Sequence, residues 1–269
     1  MHVKPARLVA LPGETLTFEV LPDPGCRPED IQWTGGGVPS TGSGPRFRTS
    51  FTQGGSHSVL ARCGQDSESF PVEVCPVDQW LSDAKSFYGP AVDFSKVTVR
   101  ASRVVSGPPG TGWTCNTVIR FKRPRKLEDF PQESTLIHEL GHVWEHQTGQ
   151  AQLLKGLVEQ IGRKFGRDPY NYGGPEGLKG KARLTQFKAE GQAEILRDEW
   201  GSGQSWYELS SQTVNGQQVP MSTPGYVDDL RRLAAAAGIG TESRRRRTLA
   251  SRVDSALAAV VNGVLRALD

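Results

Sequence analysis

The sequence predicts an α+β chain in which a run of short strands leads into a helical region. Three observations carry this. Residues 1 to about 76 alternate polar and apolar side chains in short stretches divided by turn residues, the period of half-buried strands. Residues 138–142 read His-Glu-Leu-Gly-His, two histidines four apart with a glutamate after the first. From Leu184 to Trp200 apolar positions recur at helical spacing, and the same stretch carries two acids four apart, Glu190 and Glu194.

The chain has 269 residues, room for two modest domains or one with extensions, and 36% hydrophobic with 23% charged residues is an ordinary globular composition. Lysine and arginine number 32 against 29 acids, a net charge of +3, too mild to imply a nucleic-acid partner. The dense basic run Arg244–Arg247 reads as a solvated helix start or linker. No apolar run approaches the roughly 20 residues that span a bilayer. Met1 to Leu8 lacks an apolar core, so the expectation is a chain cytoplasmic as synthesised, unless it leaves by a route that reads no signal peptide or is trimmed from a longer chain. None of Cys26, Cys63, Cys75 and Cys115 forms a CxxC pair, and reduced or buried thiols are expected. Cys26–Cys63 is the pair to close if the chain is exported.

Strands are expected at Glu14–Val20, Ile31–Trp33, Phe47–Phe51, His57–Cys63 and Ser69–Val74. Short strands at roughly 8–12-residue spacing suggest a β-sandwich, and the order Cys26, Trp33, Cys63 resembles an immunoglobulin-like domain over 1–76. Cys75-Pro76 marks a boundary. A helix over Val77–Tyr88, strands over Ser95–Ala101 and Asn116–Lys122 and a Gly/Pro loop over Ser106–Gly112 come next. Glu128–Pro131 then starts the helix of the histidine motif, which ends before Gly149. A helix over Leu153–Phe165, a loop over Arg167–Pro175 and the helix Leu184–Trp200 complete a domain assigned to 77–204. Residues 205–269 read as a helical extension with amphipathic helices over Tyr226–Ala237 and Arg247–Leu268. The apolar stripe of the last helix packs within the chain or meets a protein partner.

On a helix, His138 and His142 lie on one face one turn apart, so both imidazoles reach one ion. Glu139, beside that face, can take a proton from a water activated by the ion without being a ligand. Leu136, Ile137, Leu140, Val143 and Trp144 make much of this helix apolar, and buried histidines and a buried glutamate need partners. A catalytic zinc takes three protein ligands and keeps a fourth position open. His146 lies about 12 Å along the same helix axis from His138, too far to join. A third histidine six residues after the second, the metzincin pattern, is excluded because Thr148 stands there. A carboxylate on the second helix remains, with Glu190 as third ligand and Glu194 as acceptor for a ligand imidazole N–H. Tyr170 and Tyr172, between the two helices, are candidate donors to a tetrahedral oxyanion, with ordinary loop packing as the alternative.

His138-Glu-Leu-Gly-His142 followed by a helix with Glu190-Gly-Gln-Ala-Glu194 resembles zincin metallopeptidases of the gluzincin type, and the flanks resemble little-characterised bacterial zinc-peptidase domains. The specific motifs cover about 138–200. The resemblance implies Zn²⁺ held by His138, His142 and Glu190, Glu139 as general base and a protein or peptide substrate. It also implies Glu194 in a place where such families carry an aspartate. In zincins the strand ahead of the active helix pairs with an extended substrate, and Asn116–Lys122 or Val97–Arg100 would serve here. Two readings follow: an active zinc endopeptidase, or a binding or structural module of a bacterial secretion or toxin assembly that keeps a zincin core. In either, the β domain or the C-terminal helices are the surfaces for a protein partner.

Overall fold

The computed structural model describes residues 2–3, 8–150, 170–202, 211–214, 217–220 and 223–240. Its content is mixed α+β, in two compact units: residues 1–82 with 94–147, and residues 83–93 with 148–269.

The first unit opens with the strands β1 (His2–Val3), β2 (Val9–Ala10), β3 (Thr15–Leu21), β4 (Gln32–Gly35), β5 (Thr41–Ser43), β6 (Arg46–Ser50), β7 (Gly55–Cys63) and β8 (Asp66–Val74). They form one sheet in the order β1-β3-β6 and another in the order β2-β8-β7-β4-β5. The alternation in sequence becomes alternation in burial. Leu16, Phe18 and Val20 of β3, Val59 and Ala61 of β7, and Phe70, Val72 and Val74 of β8 all enter one apolar core. Trp33 of β4 sits at its centre, stacked on Phe47 at 5.5 Å and donating its indole N–H to the Gly44 carbonyl at 2.7 Å.

Cys26 and Cys63 form a disulfide with their Cα atoms 6.1 Å apart. The expectation of reduced thiols is corrected here: folding carries the turn after β3 to the end of β7, within bridging range. Cys75 and Cys115 stay free, and burial pushes the Cys75 thiol up to about 12, so it stays protonated and inert.

After helix α1 (Val77–Tyr88) come β9 (Thr98–Ser102), β10 (Gly112–Cys115) and β11 (Val118–Lys122), in the order β10-β11-β9. Central β11 runs antiparallel to β10 and parallel to β9. The Gly/Pro loop expected over Ser106–Gly112 therefore ends in a strand that its glycines concealed. Asn116, at a φ of 57°, turns the β10–β11 hairpin. Helix α2 (Glu133–Gln147) packs along β10 and β11, over the fully buried Ile119 and Phe121. Its start is corrected from 128–131 to Glu133. Residues Leu127–Asp129 form a separate short turn in which Asp129 accepts from the backbone N–H of Arg125 and Lys126, and Pro131 precedes the helix. Arg123 at the end of β11 meets the buried Glu14 at 2.7 Å, which joins the strand-rich segment to this small sheet.

In the second unit, α3 (Gly174–Leu178), α4 (Ala189–Gly201) and α5 (Tyr226–Ala236) surround a core of Ile195, Leu196, Trp200, Tyr226, Leu230 and Leu233. The helix expected from Leu184 starts at Ala189, after a short turn over Leu184–Gln186. The region expected to be all helical contains an antiparallel hairpin of β12 (Ser211–Val214) and β13 (Gln217–Pro220). The helices expected over 153–165 and 247–268 fall outside the described residues. No described helix is long and apolar enough to cross a membrane.

The disulfide closes a 37-residue separation, so Cys26→Ser should lower unfolding free energy by about 2–4 kcal/mol, read by denaturant titration with and without reductant. The wild type should fall to the variant's stability on reduction, and the variant should not respond.

Candidate metal centre

Helix α2 is apolar on most sides. Leu136, Ile137, Leu140 and Val143 are fully buried, and the helix still carries His138, Glu139 and Glu145 among its buried residues. The motif's spacing sets the two imidazoles edge to face, with their Nε2 atoms 3.2 Å apart. His142 Nδ1 donates to Glu145 Oε2 at 2.9 Å. With that proton on Nδ1, Nε2 of His142 turns its lone pair toward His138. Glu145 is fully buried, one helical turn beyond the histidine it orients. The sequence reading gave this carboxylate role to Glu194 alone and missed Glu145. The signal was present in the three-residue step from His142 to Glu145.

Glu139 is buried and held from the neighbouring strand. Thr114 of β10 donates to its Oε2 at 2.6 Å, and the same hydroxyl lies 3.2 Å from the Glu139 carbonyl. Gly112, two residues earlier on the same face, leaves room for the side chain. A Cβ there would stand 2.7 Å from Glu139 Oε1 and 2.8 Å from its Cγ. The strand that meets the helix of the histidine motif is thus β10. Of the two stretches named from sequence, one became the central strand β11 and the other the far edge β9.

Glu190 lies in the first turn of α4. His138, His142 and Glu190 each offer one ligand atom, and these atoms all lie within 4.8 Å of one another. One turn on, Glu194 is buried and paired with Arg197 at 2.5 Å. Gly191, between the two acids, is buried with its Cα facing Tyr172 and Phe187.

Tyr172 is buried, and its hydroxyl donates to Asp198 at 2.5 Å and also meets the Tyr226 hydroxyl. This is the packing alternative for the loop tyrosine: its proton is engaged inside the second unit. Tyr170 is more than a third exposed. Burial first, and the neighbouring Asp198 carboxylate second, hold both Tyr172 and Tyr226 well above the usual phenol range.

No protein-family model matches the chain. It is similar to the type VI secretion system spike protein VgrG2b of Pseudomonas aeruginosa, 29% identical over 126 residues that make up 44% of this chain and 12% of the relative. The chain therefore spans a small part of that protein's length.

The tyrosine network sets an alkaline limit. Both phenols titrate higher in the folded chain than in the unfolded one, so the folded state keeps protons that the unfolded state loses. Stability should be flat with respect to these groups below about pH 10 and fall as pH rises further. A Tyr172→Phe, Tyr226→Phe protein should show a shallower decline between about pH 10 and 12 in denaturant titrations.

Proposed function

We propose that the chain is a zinc-dependent endopeptidase. In this reading a zincin-like domain of the gluzincin type over 77–204 follows an immunoglobulin-like β-sandwich over 1–76, and 205–269 form a C-terminal extension. The observation that carries the reading is the 3.2 Å separation of the two histidine Nε2 atoms beside a buried, strand-held glutamate. A tetrahedral ion with zinc–nitrogen bonds of 2.0–2.1 Å keeps two ligand nitrogens about 3.3 Å apart. Two imidazoles and one carboxylate are a donor set suited to zinc with one position left open.

His138, His142 and Glu190 would hold the ion, which when bound supplies a Lewis acid for the scissile carbonyl and acidifies the attacking water. The chain's own groups do the rest. Glu139 accepts the water's proton and delivers it to the leaving amine, its carboxylate aimed by Thr114. Glu145 fixes the tautomer and orientation of His142. Glu194 would be the acceptor for a ligand imidazole N–H, and Tyr170 a donor for the oxyanion. The edge of β10 that no described strand pairs is where an extended peptide substrate would add.

The likeness to a secretion spike protein favours a second reading, a binding or structural module of a secretion assembly. The Cys26–Cys63 disulfide fits a working place that is oxidising, as an exported assembly would provide.

Glu139→Gln should retain zinc at wild-type stoichiometry and lose about 10²–10⁴-fold in cleavage of a broad peptide library. A variant that cuts as well as wild type would overturn the mechanism, and a zinc-loaded wild type that cuts nothing would leave the module reading. Glu190→Ala should lose zinc while its far-ultraviolet circular dichroism is kept, and unchanged metal content would remove Glu190 from the ligand set. Glu145→Ala should weaken zinc binding by roughly 10–100-fold in a chelator competition.

A further inference from the structure

Charge is unevenly spread along the chain. Residues 94–127 hold eight cations, Lys96, Arg100, Arg103, Arg120, Lys122, Arg123, Arg125 and Lys126, and no aspartate or glutamate. The rest of the chain is then net acidic. This segment is the sheet β10-β11-β9 with its connections. Strand alternation divides it into two faces. Gly112, Thr114, Ile119 and Phe121 turn toward α2. Trp113, Arg120 and Arg100 form one row across the three strands on the opposite face, since Trp113 pairs with Arg120 and Arg120 with Arg100.

The row is built yet incomplete. Trp113 is 46% exposed, and the Arg120 guanidinium carbon lies 5.5 Å from its ring centroid. Arg100 is exposed, and among the described residues neither arginine meets a carboxylate. Arg120 Nη1 is buried from solvent and has no hydrogen-bond acceptor there. Like charges directly opposite in a sheet repel, so a bound anion would relieve a standing cost. Trp113 is also on the strand whose outer edge no described strand pairs, directly between the two residues that touch Glu139.

We propose that the Trp113–Arg120–Arg100 row is a specificity site that selects an acidic side chain on a polypeptide substrate, next to the bond that is cut. The proposal rests on the peptidase reading. A peptide adding to the edge of β10 alternates its side chains as β10 does. Side chains opposite Gly112 and Thr114 face α2 and Glu139. The side chain opposite Trp113 emerges on the basic face, where an aspartate or glutamate meets the indole and the guanidinium groups behind it. A protein substrate is favoured over a lipid surface because the row is continuous with a strand edge, beside Glu139, that no described strand pairs. A flat membrane cannot supply that edge with backbone partners.

The test uses the zinc-loaded full chain and two readouts. Fluorescein-labelled peptides that differ only by Glu or Gln at one position are titrated onto the Glu139→Gln protein, and the same pairs are cleaved by the wild type. Glu should be preferred over Gln by roughly tenfold in both, the size of one charge-assisted hydrogen bond. Arg100→Glu with Arg120→Glu should invert the preference toward Lys, while Arg48→Gln, at an exposed position of β6, should leave the preference as it was. Cleavage without a charge preference overturns the proposal and leaves the peptidase reading intact. Selective binding of the acidic peptide without any cleavage overturns the peptidase reading and keeps an acidic-peptide site. Binding to vesicles of phosphatidylglycerol that Arg100→Glu, Arg120→Glu abolishes, with no peptide preference, overturns the proposal in favour of a lipid surface.

Discussion

A helix with apolar residues on most of its faces can carry ionisable groups only where each one meets a partner, because an unpaired charge in such surroundings costs several kcal/mol. Helix α2 meets this constraint at four residues, His138, Glu139, His142 and Glu145, and the local architecture follows from it. Glu145 takes the Nδ1–H of His142, the two Nε2 atoms converge on one point, and Glu139 reaches across to Thr114. Edge strand β10 is held against the helix by that bond and by the missing side chain of Gly112. Neighbouring β11 supplies the apolar floor through Ile119 and Phe121.

The β-rich segment depends on a different balance. Trp33 and the aromatic residues around it bury a large apolar area between the two sheets, and the disulfide restricts the unfolded chain instead of adding contact area. Glu14 and Arg123 join this segment to the small sheet through an ion pair in which the acid is buried and the base is a third exposed. The strands beside α2 are thereby part of one compact unit with the first eight strands.

Much of this was legible from side-chain period. Leu16, Phe18 and Val20 announced β3, and His138, Glu139 and His142 announced a metal-competent helix face, because both patterns are local and repeat at the spacing of their element. What escaped the sequence was decided by distant partners or by backbone. Strand β10 was hidden because Gly110, Gly112 and two prolines signal a loop, yet Gly112 stands in the strand because no Cβ fits beside Glu139. Glu145 escaped because an acid three residues after a histidine is an ordinary helical pair, and only the burial of Glu145 marks this one as an orienting contact. The partner of Cys26 was legible as Cys63, but the closed bond was not, because oxidation depends on the two Cα atoms folding to within 6.1 Å and on where the chain works. The tie of Tyr172 to Asp198 and Tyr226 spans three elements and leaves no periodic trace.

Thr114 has one proton and two oxygen atoms of Glu139 within reach, the carboxylate Oε2 at 2.6 Å and the main-chain carbonyl at 3.2 Å. A hydroxyl rotates about its C–O bond and can both donate and accept. When Glu139 is ionised, Thr114 points its proton at the carboxylate. When Glu139 carries a proton, the roles reverse: the carboxylic acid donates to the Thr114 oxygen and the threonine proton turns to the carbonyl. Either state of the acid then keeps a hydrogen bond to Thr114 without any heavy atom moving, so the position of the carboxyl is held the same in both.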